Sequence, residues 1–173
     1  MNHSQLILQS ERLAFSTWSP DQVKDVVKLH SDPTVTAHLS GRIEDGDDAK
    51  RRMESWQSDF EKFGWCKFRV IRKSDGAFVG RAGFGLEEGE PEIGYALLQE
   101  EWGKGYAKEA AFALRDWIFR STSHQSFLGY AFTENAVSIH ILKKIGMHFT
   151  HTVHDDSGKE LSFHKLTKEQ WHG

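Results

Sequence analysis

The chain has 173 residues, of which 38% are hydrophobic and 27% charged, and this length and composition predict one folded domain spanning residues 1–173. No apolar run reaches the roughly 18 residues of a membrane span. Residues 1–10 lack the basic segment and long apolar run of a secretory signal, so none is expected there. A net charge of −3 argues against nucleic acid as a partner. The single cysteine, Cys66, excludes an internal disulfide and favours a reducing, cytoplasmic location.

Patterns of apolar residues predict the elements of the first half of the chain. A strand is predicted within Leu6–Trp18, and Ser19–Asp21 marks the start of a helix because proline fits the first helical turn. That helix is interrupted at Asp32–Pro33, and residues 41–46 are predicted to form a polar loop. Residues 47–63 carry apolar side chains at spacings of three and four, which predicts an amphipathic helix ended by the glycine that follows.

The second half changes to strand-like alternation with two further helices. Strands are predicted where apolar and polar residues alternate between turn sequences, and helices where apolar residues recur at helical spacing. The predicted strands are 67–72, 77–86, 92–98, 126–132, 147–154 and 160–166, and the predicted helices are 105–120 and 135–145. This order of strand, two helices, three strands, helix, strand, helix and hairpin indicates a mixed α+β fold.

The most informative segment is the short loop between a predicted strand and the helix that follows it. Its sequence, Trp-Gly-Lys-Gly-Tyr-Ala from Trp102 to Ala107, places two glycines and an alanine at the first turn of a helix. Backbone N–H groups and the helix dipole attract anions there, and small residues let the backbone close on a phosphate. Lys104 and Lys108 can add positive charge. We therefore predict a loop that binds a phosphate or a diphosphate.

Two common phosphate-binding sequences do not fit this loop. A P-loop needs Ser or Thr after its Gly-Lys pair, and Gly105 stands there. The dinucleotide fingerprint needs a third glycine at the position of Lys108 and a repeated βαβ order, which this chain lacks. On spacing alone, a simple tight turn between a strand and a helix also fits the sequence.

The loop resembles the Gln/Arg-x-x-Gly-x-Gly/Ala loop of the GNAT superfamily of acetyl-CoA-dependent N-acetyltransferases, with Trp102 where that pattern has Gln or Arg. Three more blocks are similar to its ribosomal-protein-alanine/serine acetyltransferase-like branch. They are Ser-Glu-Arg-Leu from Ser10, Glu-Ile-Gly-Tyr from Glu92, and Asn-x-x-Ser from Asn135 to Ser138, which continues to Lys-Ile-Gly-Met from Lys144. The resemblance covers about residues 6–166, and four blocks in the right order are more specific than one loop.

What the resemblance implies is a mixed, twisted central sheet of about seven strands, splayed in the middle and flanked by about four helices. Acetyl-CoA is expected in the gap, with pantetheine against the strand before the loop, the diphosphate on the loop, and the two N-terminal helices walling the acceptor site. A backbone N–H near Leu97 or Leu98 is the expected oxyanion donor, and Asn135 is also a natural helix cap. The residues implied to bind the coenzyme are Ala96, Leu97, Leu98, Trp102, Gly103, Lys104, Gly105, Tyr106, Ala107, Lys108, Asn135 and Lys144.

Acetylation of an amine needs a neutral nucleophile, a donor to the oxyanion and a proton for the departing thiolate. Glu92 is the predicted base because it lies on the strand that flanks the thioester, and Glu90 is a weaker alternative. The family often has a tyrosine seven residues after the asparagine, but Leu142 stands there. The candidates for the acid are Ser138, which similarity to the branch favours, His140, Tyr130 and water.

The predicted function is transfer of an acetyl group from acetyl-CoA to a primary amine, on a protein N-terminus or a small molecule. A non-catalytic CoA-binding module and a nucleotide-phosphate binder are the alternatives. No metal is predicted, because His151 and His154 point to opposite faces of a strand that also holds His148, and no carboxylate completes a ligand set with His164. The sequence leaves open the identity of the acceptor and the choice between monomer and homodimer.

Overall fold

The computed structural model describes residues 3–39, 42 and 45–173, which form one eight-stranded sheet with five α-helices. The strands are β1 (Leu6–Gln9), β2 (Leu13–Ser16), β3 (Lys67–Arg72), β4 (Phe78–Glu87), β5 (Glu90–Leu97), β6 (Ser126–Phe132), β7 (His148–His154) and β8 (Glu160–Thr167). The helices are α1 (Val23–His30), α2 (Pro33–Thr36), α3 (Gly46–Phe63), α4 (Tyr106–Ser121) and α5 (Ala136–Lys144). Short 3-10 turns, Pro20–Gln22 and Gln99–Glu101, precede α1 and α4.

The strands follow the order β1-β2-β3-β4-β5-β6-β8-β7 across the sheet. Every neighbouring pair is antiparallel except β5 and β6. The mixed α+β class is therefore confirmed. In the described part of the chain, no helix is long and apolar enough to cross a membrane. Residues 41, 43 and 44 of the predicted polar loop lie outside the described residues.

The sheet has eight strands rather than about seven, and there are five α-helices among the described residues rather than about four. The prediction of one strand within Leu6–Trp18 is wrong, because the Ser10 amide donates to the Leu13 carbonyl at 2.9 Å and reverses the chain between β1 and β2. The additional helix, α2, begins at Pro33, where the Asp32 carboxylate accepts a hydrogen bond from the amide two residues later at 2.8 Å. The proline that interrupts one helix thus starts the next.

Local sequence signals fix the ends of the two longest helices. Helix α3 begins at a capping box in which Asp45 and Asp48 each accept the other's backbone N–H, and it ends at Gly64 with φ of 77°. Helix α4 begins after Gly105, packs against β5, and buries an apolar stripe that includes Leu114. These contacts place the N-terminus of α4 beside the end of β5, where the predicted anion loop lies.

The sheet opens between its two parallel strands, as the resemblance implied. Strands β5 and β6 pair at only two positions, Glu92 with Leu128 and Ile93 with Gly129. Beyond Ile93, β5 continues to Leu97 paired with β4 alone, while β6 continues along β8. The two strands therefore diverge, and the space between them becomes a cleft.

Candidate active site

A cleft of about 890 Å³ extends from the gap between β5 and β6 to the loop that precedes α4. The predicted catalytic residues Glu92 and Ser138 both line it. The predicted coenzyme residues on its wall are Ala96, Leu97, Trp102, Gly103, Gly105, Tyr106, Ala107, Lys108 and Asn135. Leu98, Lys104 and Lys144 were predicted to bind the coenzyme but do not line the cleft. The structure thus brings residues from three of the four blocks of sequence to one cavity.

The anion loop, residues 102–108, carries unused backbone donors at the N-terminus of α4. Gly103 and Gly105 have φ values of 75° and 82°, left-handed conformations that glycine adopts without steric penalty. Within the described residues, none of the amides of residues 103–108 donates a hydrogen bond. Six such donors, reinforced by the positive end of the helix dipole, fit the charged oxygens of a diphosphate.

Arg12, between β1 and β2, holds the anion loop in place. Its Nη1 donates to the Lys104 carbonyl at 2.9 Å, and its Nε donates to Glu109 Oε2 at 2.7 Å. The guanidinium also lies 4.5 Å from the ring centre of Tyr106. The sequence assigned no role to Arg12, because these partners are 92 and 97 positions away along the chain. Its place in the Ser-Glu-Arg-Leu block was the only signal.

The three lysines predicted near the coenzyme differ in their surroundings. Lys104 Nζ lies 2.9 Å from Glu101 Oε2, and the same buried carboxylate contacts Arg72 Nη1 at 2.9 Å. Lys108 lines the cleft, whereas Lys144 is exposed on α5 away from the cleft wall. The charge predicted at Lys104 is therefore used within the protein, and Lys108 is the lysine placed to meet an anion.

The end of β5 offers one of the two predicted oxyanion donors. The Leu98 amide donates to the Val79 carbonyl at 2.9 Å, so the prediction of a donor at Leu98 is wrong and Leu97 is left as the candidate. The Trp102 indole N–H donates to the Leu97 carbonyl at 3.0 Å, and its ring lies 5.7 Å from that of His38. Trp102 therefore ties the anion loop to the last residue of β5.

Glu92 forms an ion pair with Lys67 on β3, two strands away. Lys67 Nζ donates to Glu92 Oε2 at 2.8 Å and to the Glu92 carbonyl at 3.1 Å, and each side chain is 12% exposed. The lysine reaches over Gly85 and Gly94, and a Cβ at Gly94 would collide with its Nζ. Burial lowers the pKa of Lys67, and the Glu92 carboxylate opposes that shift. The sequence had assigned no role in the site to this lysine.

Ser138 belongs to a hydrogen-bonded network at the start of α5. Its Oγ lies 3.0 Å from Tyr95 Oη, and its amide donates to Asn135 Oδ1 at 3.2 Å. Asn135 thus caps α5, as predicted. Burial raises the pKa of Tyr95 to about 12, so the phenol is protonated at neutral pH. Leu142 occupies the family's tyrosine position, but Tyr95 brings a phenol to the same network from β5.

The alternative catalytic candidates separate by position. Glu90 lies at the other end of β5, 2.6 Å from both Lys165 Nζ and Ser126 Oγ, and does not line the cleft. His140 is exposed on α5 outside the cleft wall. Tyr130 lines the cleft from β6, and burial raises its pKa to about 12. Among the alternatives, only Tyr130 is in the cavity.

A buried histidine contacts the cleft wall near α1. Arg81 on β4 lines the cleft, and its Nε donates to His30 Nε2 at 3.2 Å. The guanidinium lies 5.5 Å from the ring centre of Trp56. Burial lowers the pKa of His30 to about 3, and the charge of Arg81 contributes. His30 is therefore neutral at physiological pH and accepts the hydrogen bond from the arginine.

The histidines of the last hairpin do not converge. His148, His151 and His154 are exposed along β7, while His164 is buried on β8. Across the ranges that the structure describes, no three His, Cys, Asp or Glu side chains are grouped to hold a metal ion.

Comparison with known proteins relates the chain to acetyltransferases. The family model of the acetyltransferase (GNAT) domain matches residues 12–148. The Bacillus subtilis protein YkkB is 32% identical over 133 residues, which cover 72% of this chain and 74% of YkkB. A GNAT-family acetyltransferase structure from Bacillus anthracis has a TM-score of 0.82 at 22% identity, over 95% of this chain and 99% of that one. RimL, a ribosomal L7/L12 α-N-protein acetyltransferase solved with coenzyme A, has a TM-score of 0.81 at 12% identity, over 94% and 98% of the two chains.

Proposed function

Because the chain belongs to the GNAT acetyltransferase family, we propose that it transfers the acetyl group of acetyl-CoA to a primary amine by direct attack within a ternary complex. The acceptor is a protein N-terminal α-amine or a small-molecule amine. The reaction is assigned to the cytoplasm, where a chain with one cysteine, which is buried, suits the reducing conditions.

The observation that carries the proposal is the row of unused amides at residues 103–108, beside a gap between β5 and β6. A diphosphate bound on the loop would leave the rest of the coenzyme to extend along the free edge of β5, past Ala96 and Leu97. Lys108 is placed to add charge to the same anion, and Asn135 lies across the gap. A coenzyme bound in this way would have its acetyl end near Glu92 and Ser138, which line the same cleft.

In this reaction, acetyl-CoA supplies the activated acetyl group. The protein accepts one proton from the amine and donates one to the departing sulfur. Glu92 accepts the proton of the attacking amine, directly or through water, and the ammonium of Lys67, 2.8 Å from its Oε2, holds the carboxylate in position. An α-amine with a pKa near 8 is easy to deprotonate at neutral pH, whereas a lysine near 10.4 costs on the order of 4 kcal/mol. Glu92 therefore suits an α-amine without having to be a strong base.

The second proton goes to the departing sulfur. Ser138 Oγ is the proposed donor, and the Tyr95 phenol 3.0 Å away is placed to return a proton to it. Tyr130 and water are the remaining sources of this proton. Because a CoA thiol has a pKa near 8.5, its thiolate is a tolerable leaving group even without an acid. Loss of Ser138 is therefore expected to slow turnover rather than abolish it.

The test is steady-state release of free CoA from acetyl-CoA in the presence of a panel of peptides with different N-termini and of small amines. We expect turnover with at least one amine and a mass increase of one acetyl group on it. Acetyl-CoA binding without turnover on the whole panel would favour a non-catalytic CoA-binding module. Displacement of acetyl-CoA by ATP at comparable concentration would instead favour a nucleotide-phosphate binder.

A further inference from the structure

The carboxylates of the cleft are already bound by other groups of the protein. Three acidic residues line its described part, Glu92, Glu101 and Asp155. Glu101 contacts Arg72 and Lys104, both at 2.9 Å. One oxygen of Asp155 accepts three hydrogen bonds from its own turn, at 2.7 to 2.9 Å. Glu92 is the third, and it lies beside the start of the gap, at one of the two positions where β5 still pairs with β6.

Lys67 occupies the position beside Glu92 that a cationic acceptor would need. Its ammonium is 2.8 Å from the Glu92 carboxylate and 3.1 Å from the Glu92 carbonyl, so it makes the contacts that a bound alkylammonium would make. Glycines at 85 and 94 provide the room for it, which indicates that the sheet is built around this side chain. Only 12% of either side chain is exposed, so solvent screens the pair weakly.

A second ammonium group beside the reacting nitrogen would therefore meet a carboxylate, Glu92, whose charge Lys67 already neutralises. Moving an ammonium out of water is unfavourable unless a carboxylate or several hydrogen-bond acceptors replace the water. The ammonium of Lys67 would also repel it at short range. A monoamine avoids both penalties, because its single nitrogen is neutral when it attacks.

We infer that Lys67 is a specificity-determining residue that restricts the acceptor to amines with no second cationic group near the reacting nitrogen. This inference rests on the proposed acetyltransferase function and narrows its acceptor class. Polyamines and diamines are disfavoured, and α-amines followed by uncharged residues are favoured. Lys67 acts through Glu92 and through its own charge.

The test compares matched acceptors that differ by one distal charge, pentylamine with 1,5-diaminopentane and the peptide Ser-Ala-Ala with Ser-Lys-Ala. For wild-type protein we expect kcat/KM to favour the uncharged member of each acetylated pair by about tenfold, and the preference to shrink at high salt. In Lys67→Met, Glu92 is free to bind the second ammonium, so the preference should fall at least several-fold. Lys67→Arg keeps the charge and should keep the preference.

Equal or better use of the charged acceptors by wild-type protein would overturn the inference, and so would an unchanged preference in folded Lys67→Met. If the methionine variant fails to fold, the comparison of charged with uncharged acceptors on the wild-type protein still tests the inference. Failure of the proposed function is separate, because it would show as no CoA release with any acceptor of the panel. If the protein acetylates amines of the panel but prefers the charged acceptors, the proposed function stands and only the role given to Lys67 is wrong.

Discussion

The two ends of the cleft are built in different ways. The anion loop uses backbone amides from residues 103–108, which are neighbours in sequence and need glycine rather than a particular side chain. The other end, called the acceptor end because the amine is proposed to bind there, uses the Lys67–Glu92 pair. Its two members are 25 positions apart and meet only because β3, β4 and β5 lie side by side. Binding at the loop should therefore be sensitive to a bulky or charged side chain placed beside these amides. The acceptor end is sensitive to pH and to the loss of either partner.

The largest effect is expected at the loop. Gly105→Glu puts a side chain on a left-handed residue with φ of 82° and a negative charge where the diphosphate is proposed to bind. We expect acetyl-CoA affinity measured by calorimetry to fall about 100-fold or more. Gly89→Glu is the matched control, since Gly89 has φ of 78° in the turn between β4 and β5 and does not line the cleft. Unchanged affinity in folded Gly105→Glu would refute the assignment of the loop.

The next effect concerns the histidine behind the acceptor end. With a folded pKa of about 3 and an unfolded one near 6.5, His30 binds its proton more readily in the unfolded chain. Stability from this group is complete above pH 6.5 and is lost as the pH falls toward 3, by about 2 kcal/mol at pH 5. The free energy of unfolding should be measured with urea at pH 7.5 and at pH 5. Between these two values it should fall by about 2 kcal/mol less in His30→Gln than in the wild type.

His140 provides the control for that measurement, because it is an exposed histidine on α5. Its replacement by Gln should leave the pH dependence of unfolding as it is in the wild type. The assignment to His30 is wrong if His30→Gln and wild type lose equal stability between the two pH values.

The acceptor end itself should respond in its pH–rate profile. Lys67→Met leaves the Glu92 side chain buried without the ammonium that contacts it, so the proposed base loses the partner that holds it in position. We expect kcat/KM of Lys67→Met to fall about tenfold and its dependence on pH to differ from that of the wild type. Lys67→Arg should keep the wild-type profile, and Glu92→Gln should lose the acidic limb. A profile that is identical in all variants would remove Glu92 as the base.

The smallest effect separates the two lysines of the loop. Lys104 is paired with Glu101, so Lys104→Ala should change acetyl-CoA affinity by less than about threefold. Lys108→Ala should weaken it more, because Lys108 lines the cleft and the described residues provide no carboxylate within ion-pair distance of it. Binding measured at low and high salt checks this order. A larger loss from Lys104→Ala than from Lys108→Ala would contradict it.

The anion loop and the order of the elements could be predicted from sequence because their signals are local. Glycine at 103 and 105, the helix that follows, and the block that ends in Ser138 need no knowledge of distant contacts. The split of Leu6–Trp18 into two strands was missed, because alternation does not reveal where an extended chain reverses.

The acceptor end could not be predicted for a different reason. Alternation along β3 places Lys67 on a polar face, which is usually solvent-exposed, and only the sheet order shows that it faces Glu92. The glycines at 85 and 94 were a usable signal, since they lie on neighbouring strands and leave room for a long side chain. Tyr95 was in view within the Glu-Ile-Gly-Tyr block, but its contact with Ser138 depends on how α5 packs.

The anion loop is held by Arg12 through a contact between residues that are far apart in the chain. The contact between Arg12 and Glu109 spans 97 positions, so it forms only after the first hairpin has closed on a helix synthesised much later. Before the first hairpin packs on that helix, the chain has the loop residues, but the Lys104 carbonyl does not accept the hydrogen bond from Arg12. Coenzyme bound to the finished loop favours the closed arrangement by mass action, so depletion of acetyl-CoA is expected to make the N-terminal hairpin more accessible to proteases.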